Sequence, residues 1–152
     1  MKIKNLPKLI FSILISQTAG LLGTFFTISA IPTWYVYLNK PSFNPPDYLF
    51  GPVWTVLYTL IGISLYLIWI KKGSLKLFWV HLSLNAVWTP IFFGLRNLEL
   101  AFIVIITMVV SLLFVIKSFY KTDKLSSYLL IPYLVWISFA TFLNFTIWIL
   151  NP

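Results

Sequence analysis

Apolar positions along this chain fall in long blocks, not in the strict alternation of half-buried strands. Five blocks, at about 9–30, 48–70, 77–94, 98–119 and 126–150, are each nearly free of charge. A helix needs roughly 20 such residues to cross a bilayer, because no water is present in the hydrocarbon to pair a backbone N–H or C=O. Short polar links, KKGSLK, LRNLE and YKTDKLS, separate the later blocks, while residues 31–47 form a longer connection dense in rings and prolines. The pattern predicts an all-α integral membrane protein: a five-transmembrane-helix bundle with a structured loop between helices 1 and 2, forming one membrane domain over residues 1–152.

Composition strengthens this reading. The 152 residues are 60% hydrophobic and only 9% charged, far from the balance of a water-soluble domain. Charge then orients the bundle, since cationic links stay on the cytoplasmic side. Numbering the ends alternately puts Lys2, Lys4, Lys8, Lys71, Lys72, Lys76, Lys117, Lys121 and Lys124 on one side and only Lys40 and Arg96 on the other. The amino terminus is therefore expected inside, with the carboxyl terminus and the long connection outside. The net charge of +8 is spent on these flanks, which argues against nucleic acid and for the lipid bilayer as partner. The amino-terminal run is too long for a signal h-region and lacks a small-residue cleavage site, so it is expected to remain as the first span, with a bacterial plasma membrane the default location. The absence of cysteine removes disulfides and thiolate chemistry.

Within apolar blocks, polar and aromatic residues at helical spacing mark faces turned away from lipid. Gly51, Trp54, Tyr58, Gly62 and Tyr66 share one face of the second span; His81, Asn85, Trp88 and Phe92 share one in the third; Tyr133, Trp136, Ala140 and Asn144 share one in the fifth. These faces should converge. Asn85 and Asn144 need hydrogen-bond partners inside hydrocarbon, either another helix or a ligand. Trp34, Trp69, Trp79 and Trp148 lie at span ends and read as interfacial anchors. His81, near the entry of the third span, reads as interfacial packing more than as an axial ligand. Pro90 and Pro132 remove helix hydrogen bonds and can bend their spans. In the loop, Asn44 is expected to cap the second span, with Pro45 and Pro46 in its first turn. Trp34, Tyr35, Tyr37 and Phe43 are expected to pack over a cavity lined by Trp54, and Lys40 to stay solvated or against headgroups.

Conventional catalysis has few residues to draw on. Asp47, Glu99 and Asp123 are the only acids, all near span ends, and His81 is the only histidine. No metal cluster, triad or phosphate loop can be assembled from them inside the membrane, and no obligatory cofactor is implied. Ion relays use mid-span ionisable groups, which these spans lack. What remains is an aromatic, weakly polar interior suited to a flat hydrophobic ligand.

The segments WYVYLNKPSFNPPDYLFGPVWTVLYTLIGISLYLIW, LNAVWTPIFFG and LLIPYLVWISFATFLNFTIW together resemble the TspO/MBR family, the tryptophan-rich sensory and translocator proteins also called peripheral-type benzodiazepine receptors. The match covers the second, third and fifth spans and the first loop. The resemblance implies a bundle, often a homodimer, that binds porphyrins such as protoporphyrin IX, haem, and isoquinoline carboxamides in a pocket closed by the first loop. By motif position it assigns Trp54, Asn85, Trp88, Trp136 and Ala140 to the pocket, joined by Tyr58 and Asn144 from the faces above, with Tyr35, Pro45 and Pro46 in the cover. It also implies light- and oxygen-dependent porphyrin breakdown in bacterial members, with Trp54 and Trp136 as the reactive pair, needing no acid, base or metal. Two positions depart from the family. Phe145 replaces the tyrosine of the animal cholesterol motif and no basic residue follows, so cholesterol is not carried over as a partner. Phe43 stands where a tryptophan is usual, losing an indole N–H donor. Sensing or photo-oxidative removal of tetrapyrroles is the leading reading; porphyrin transport or export, or a ligand-tuned interaction protein, are the alternatives.

Overall fold

The computed structural model describes residues 4–152, so Lys2 lies outside the described residues. Its helices are α1 (Leu6–Thr33), α2 (Phe50–Ile70), α3 (Lys76–Thr89), α4 (Leu98–Thr122), α5 (Lys124–Tyr128) and α6 (Ile131–Leu150). With their flanking turns they make five segments long and apolar enough to cross a membrane, Leu6–Thr33, Asp47–Ile70, Lys76–Gly94, Leu98–Thr122 and Lys124–Leu150. Large apolar side chains such as Leu14, Leu21, Phe25, Ile28, Ile103 and Phe114 project outward, as a bilayer solvent requires.

Local chemistry sets the ends. Asn5 caps α1, its Oδ1 accepting from the Lys8 N–H at 2.9 Å, so this helix starts ahead of its apolar run. Asn97 caps α4 through the Leu100 N–H at 2.9 Å. Asp123 ends α4 in extended backbone and caps α5 through the Ser126 N–H at 2.7 Å. Sequence alone placed Pro132 as a bend inside one helix. The chain instead breaks at Leu129–Leu130 and restarts, leaving Pro132 in the first turn of α6, where its missing N–H costs no intrahelical bond. Pro90 opens a widened turn, Pro90–Gly94, closed by Leu95 N–H to Pro90 C=O at 2.8 Å, the local adjustment by which a proline is accommodated at a helix end.

The helices pack through one buried stripe on α4, Ala101, Ile105, Met108, Leu112, Val115 and Phe119, spaced three to four residues apart as a helix face demands. On the lysine-bearing end, α1 and α2 meet at Gly62, where an added Cβ would lie 2.5 Å from the Ile13 Cα; only a glycine lets the backbones come this close. The Tyr66 hydroxyl accepts from the backbone N–H groups of Lys4 (2.9 Å) and Asn5 (3.1 Å) at the start of α1. Ser64 donates to the Ser126 carbonyl at 2.8 Å, and Lys71 pairs with Asp123. The two-helix interface and its polar ties close this end of the bundle.

Candidate aromatic cavity

At the opposite end α2 separates from its neighbours. Three turns before Gly62, a Cβ on Gly51 would meet nothing within 4 Å, because that position faces a cavity of about 370 Å³ between α1, α2, α3 and α6. This falls within the size range of small-molecule sites. Trp54 and Tyr58 from α2, Asn85 and Trp88 from α3, and Trp136, Ala140 and Asn144 from α6 line it. The upper parts of the three faces read from sequence thus surround one space. Their lower parts leave it: Gly62 and Tyr66 pack on α1, while His81 and Tyr133 lie in the buried core.

Both asparagine amides are used between helices. Asn85 Oδ1 accepts from the Tyr58 hydroxyl (2.6 Å), and its Nδ2 donates to the Tyr133 hydroxyl (2.7 Å), joining α2, α3 and α6. Asn144 Nδ2 donates to the Leu98 carbonyl (2.9 Å), and its Oδ1 accepts from the Trp88 indole (3.3 Å). Both also border the cavity, so the polar part of the wall is held in place before a ligand arrives. Among the described residues no buried side-chain nitrogen or oxygen lacks a partner.

Two cavity tryptophans have different surroundings. Trp54 stacks on Tyr58 (ring centroids 5.3 Å apart, 26° between planes) and meets Tyr133 edge-on at 6.1 Å. Trp136 contacts Phe50 at 6.3 Å and Phe139 at 5.8 Å. The first indole has phenols as ring partners, the second has phenylalanines.

The loop is tied down by bonds that sequence reading did not assign. Tyr35 is buried against the cavity, its hydroxyl donating to Asn44 Oδ1 at 2.8 Å. Burial pushes the Tyr35 phenol well above its ordinary pKa, and the nearby Asp47 charge adds to the effect, so the group stays a neutral donor. Asn44 therefore does not cap the second span; a single 3₁₀ turn, Asp47–Leu49, leads into α2 instead. Lys40 is partly buried and engaged within the loop: its ammonium donates to the Tyr35 carbonyl at 2.7 Å and sits 4.5 Å from the centre of the Tyr35 ring. Asn39 and Asn151 exchange hydrogen bonds, Asn39 N–H to Asn151 Oδ1 at 2.9 Å and Asn151 Nδ2 to Asn39 C=O at 3.0 Å, fastening the loop to the end of α6. Phe43 stacks on Phe142 at 5.2 Å, outside the cavity, and Trp34 packs on Phe92 and Phe93. Tyr37 is 81% exposed and covers nothing. Pro45 and Pro46 lie in the connecting segment and do not line the cavity.

Sequence reading missed the Thr24, Thr27 and Ile31 part of the α1 wall. Gly20, Thr24, Thr27 and Ile31 line the cavity, a spacing of small and hydroxyl residues that repeats every turn. The signal was present but weak, because each hydroxyl bonds its own helix, as Thr24 does to the Gly20 carbonyl at 3.0 Å, and so resembles an ordinary lipid-facing turn.

Five segments long and apolar enough to cross a membrane, four of which enclose an aromatic cavity beside a fastened loop, define a multi-pass membrane protein with an internal ligand-sized site. The TspO/MBR family model matches residues 12–149, and the chain belongs to that family. It is 43% identical to the tryptophan-rich protein TspO of Archaeoglobus fulgidus over 97% of this chain and 99% of that one. It is 37% identical to the protein of the same name from Chlorobaculum tepidum over 98% and 99%. The human translocator protein is 37% identical over 76% of this chain and 73% of its own.

Proposed function

We propose that the cavity binds a flat tetrapyrrole, protoporphyrin IX or haem, and that the protein senses such compounds or removes them by light-driven oxidation in which dioxygen is the net oxidant. The observation that carries this reading is the wall itself: Trp54, Trp88 and Trp136 around one space, with the polar atoms of Asn85 and Asn144 already paired. Aromatic walls offer large planar contact at little entropic cost. Tyr35, held by Asn44 and Lys40, forms part of the cover. Trp54 and Trp136 both border the space, so either indole can donate an electron to an excited ligand without an acid, base or metal. The relative from Cereibacter sphaeroides is named a tryptophan-rich sensory protein, which fits the sensing reading.

Titration of the purified protein with protoporphyrin IX, followed by tryptophan quenching, tests it. Saturable quenching that weakens in Trp54→Phe and Trp136→Phe is expected; unchanged quenching in both would put the ligand elsewhere. The translocator name of the human relative favours transport as the second reading. Flux of protoporphyrin across proteoliposomes containing purified protein alone would establish it. Light scattering of the purified protein would test the proposed homodimer, and an amino-terminal accessibility tag the proposed inside amino terminus.

A further inference from the structure

Below the cavity a chain of hydrogen bonds runs through the bundle, and its polarity is fixed by its far end. Ser111 donates its hydroxyl proton to the Met108 carbonyl at 2.8 Å, and a carbonyl can only accept. With Ser111 so oriented its Oγ accepts from His81 Nδ1, 2.8 Å away, and because the Tyr133 oxygen already accepts from Asn85 and has its own proton to give to Nε2, the neutral imidazole is assigned its proton on Nδ1. Nε2 is left as a lone pair facing the Tyr133 hydroxyl at 3.0 Å. Tyr133 oxygen in turn accepts from Asn85 Nδ2, whose carbonyl oxygen accepts from Tyr58. Every donor in the series points toward Met108.

We infer that Tyr133 and His81 form a redox-active pair that takes up the oxidising equivalent left on Trp54. This rests on the reading of the cavity as a site for a light-absorbing tetrapyrrole, which serves as the one-electron oxidant. Trp54 gives one electron to the excited tetrapyrrole, reducing it, and is left as an indole radical cation. Tyr133, edge-on to Trp54 at 6.1 Å, returns one electron to the indole as its hydroxyl proton moves to His81 Nε2. The phenolic O–H bond breaks and an N–H bond forms. Trp54 is restored, Tyr133 becomes a neutral phenoxyl radical, and the positive charge now rests on the imidazolium of His81. Return of the electron from the reduced tetrapyrrole and of the proton from His81 resets all groups, with no net reagent consumed.

Geometry selects Tyr133 over the other neighbours. A phenol loses an electron readily only when a base takes its proton, and a positioned imidazole within hydrogen-bond reach is such a base. Tyr58 stacks closer to Trp54 but donates to an amide oxygen, which is too weak a base to accept the proton. Trp136 has Phe50 and Phe139 as ring partners and no such outlet. His81 itself is 2% exposed with both nitrogens engaged, so it acts on the proton and not on the ligand.

The test generates the tryptophan radical in two ways in frozen samples: visible light on protein with protoporphyrin IX, and ultraviolet photoionisation of protein without ligand. Electron paramagnetic resonance, assigned with ring-deuterated tyrosine, is expected to show a neutral tyrosyl radical in the parent and in Tyr58→Phe. Loss of most of that signal, with a tryptophan radical in its place, is expected in Tyr133→Phe and in His81→Phe. A measurement on the parent alone guards against misfolded variants. The chain has one histidine, so in protein carrying isotope-labelled histidine the tyrosyl signal must show hyperfine coupling to an imidazole nitrogen. A tyrosyl signal without that coupling, or undiminished in a folded Tyr133→Phe variant, overturns the pair. So does the absence of any tyrosyl signal under ultraviolet light. A signal under ultraviolet but not visible light supports the pair and overturns the tetrapyrrole reading instead.

Discussion

The two ends of α2 use the same residue types for opposite purposes. Toward the lysine-bearing end, Gly62 removes a side chain so that the α1 backbone can fill its place, and Tyr66 spends its hydroxyl on two backbone N–H groups of α1. Toward the loop, Gly51 leaves open space, and Tyr58 spends its hydroxyl on Asn85 while its ring borders a cavity. A glycine in a membrane helix is therefore not by itself a packing signal. Whether it brings a helix closer or makes room for a ligand depends on what stands opposite.

Substitutions can break this contrast. The largest effect is expected from Gly62→Ala, whose Cβ would meet the Ile13 Cα and Ser12 carbonyl, backbone atoms that cannot rotate aside. Overpacking of this kind costs about 1–3 kcal/mol, and the thermal midpoint in detergent should fall. Gly51→Ala should leave that midpoint unchanged or slightly raised, since alanine favours a helix by up to about 1 kcal/mol over glycine. Its effect should appear only in ligand titration. Equal losses of stability in the two variants would abolish the distinction between the ends.

Asn85→Ala is expected to follow, because it strands the Tyr58 hydroxyl and removes one donor to Tyr133. About 2 kcal/mol is a reasonable scale, with partners in the membrane-unfolded state reducing it. The same change should weaken protoporphyrin quenching, whereas Ser64→Ala, at the opposite end, should lower stability without touching quenching.

The smallest effect should come from Asp123. Burial pushes its carboxyl up, but hydrogen bonds from Lys71 and from the backbone N–H groups of Ser126 and Leu125, with the Lys71 charge, outweigh that and hold it below the usual carboxylate range. A depressed pKa means that stability is present above the ordinary carboxylate range and is lost as pH falls through the depressed value. Capping contributes about 1 kcal/mol, and the ion pair under about 1 kcal/mol because Lys71 is half-exposed. Asp123→Ala should thus lower the midpoint at neutral pH, and the gap from the parent should shrink in acid. A gap independent of pH would mean that the carboxylate charge contributes nothing.

Much of the cavity was legible because Trp54, Asn85, Trp88, Trp136, Ala140 and Asn144 recur at one helical spacing in spans where any apolar residue would otherwise serve. The α1 wall was harder to see, since Thr24 and Thr27 satisfy themselves on their own helix. The partners of His81, Ser111 of α4 and Tyr133 of α6, were not legible in sequence. Those partners lie 30 and 52 positions away in sequence, and periodicity within one span carries no information about them. Asn44 was misread for a related reason: the Tyr35 hydroxyl was available as a partner, and the local helix cap lost the competition.

Sequence by itself determined the number of spans, the side on which the lysines gather and the faces turned from lipid. Hydrocarbon imposes these one segment at a time, through backbone pairing and the cost of charge. Tertiary structure decided which glycine closes a gap and which leaves one, where each buried polar group finds its partner, and which of two cavity tryptophans stands beside a phenol. Those outcomes depend on distances between helices, and a hydrogen bond or ring contact is made or lost within about 1 Å.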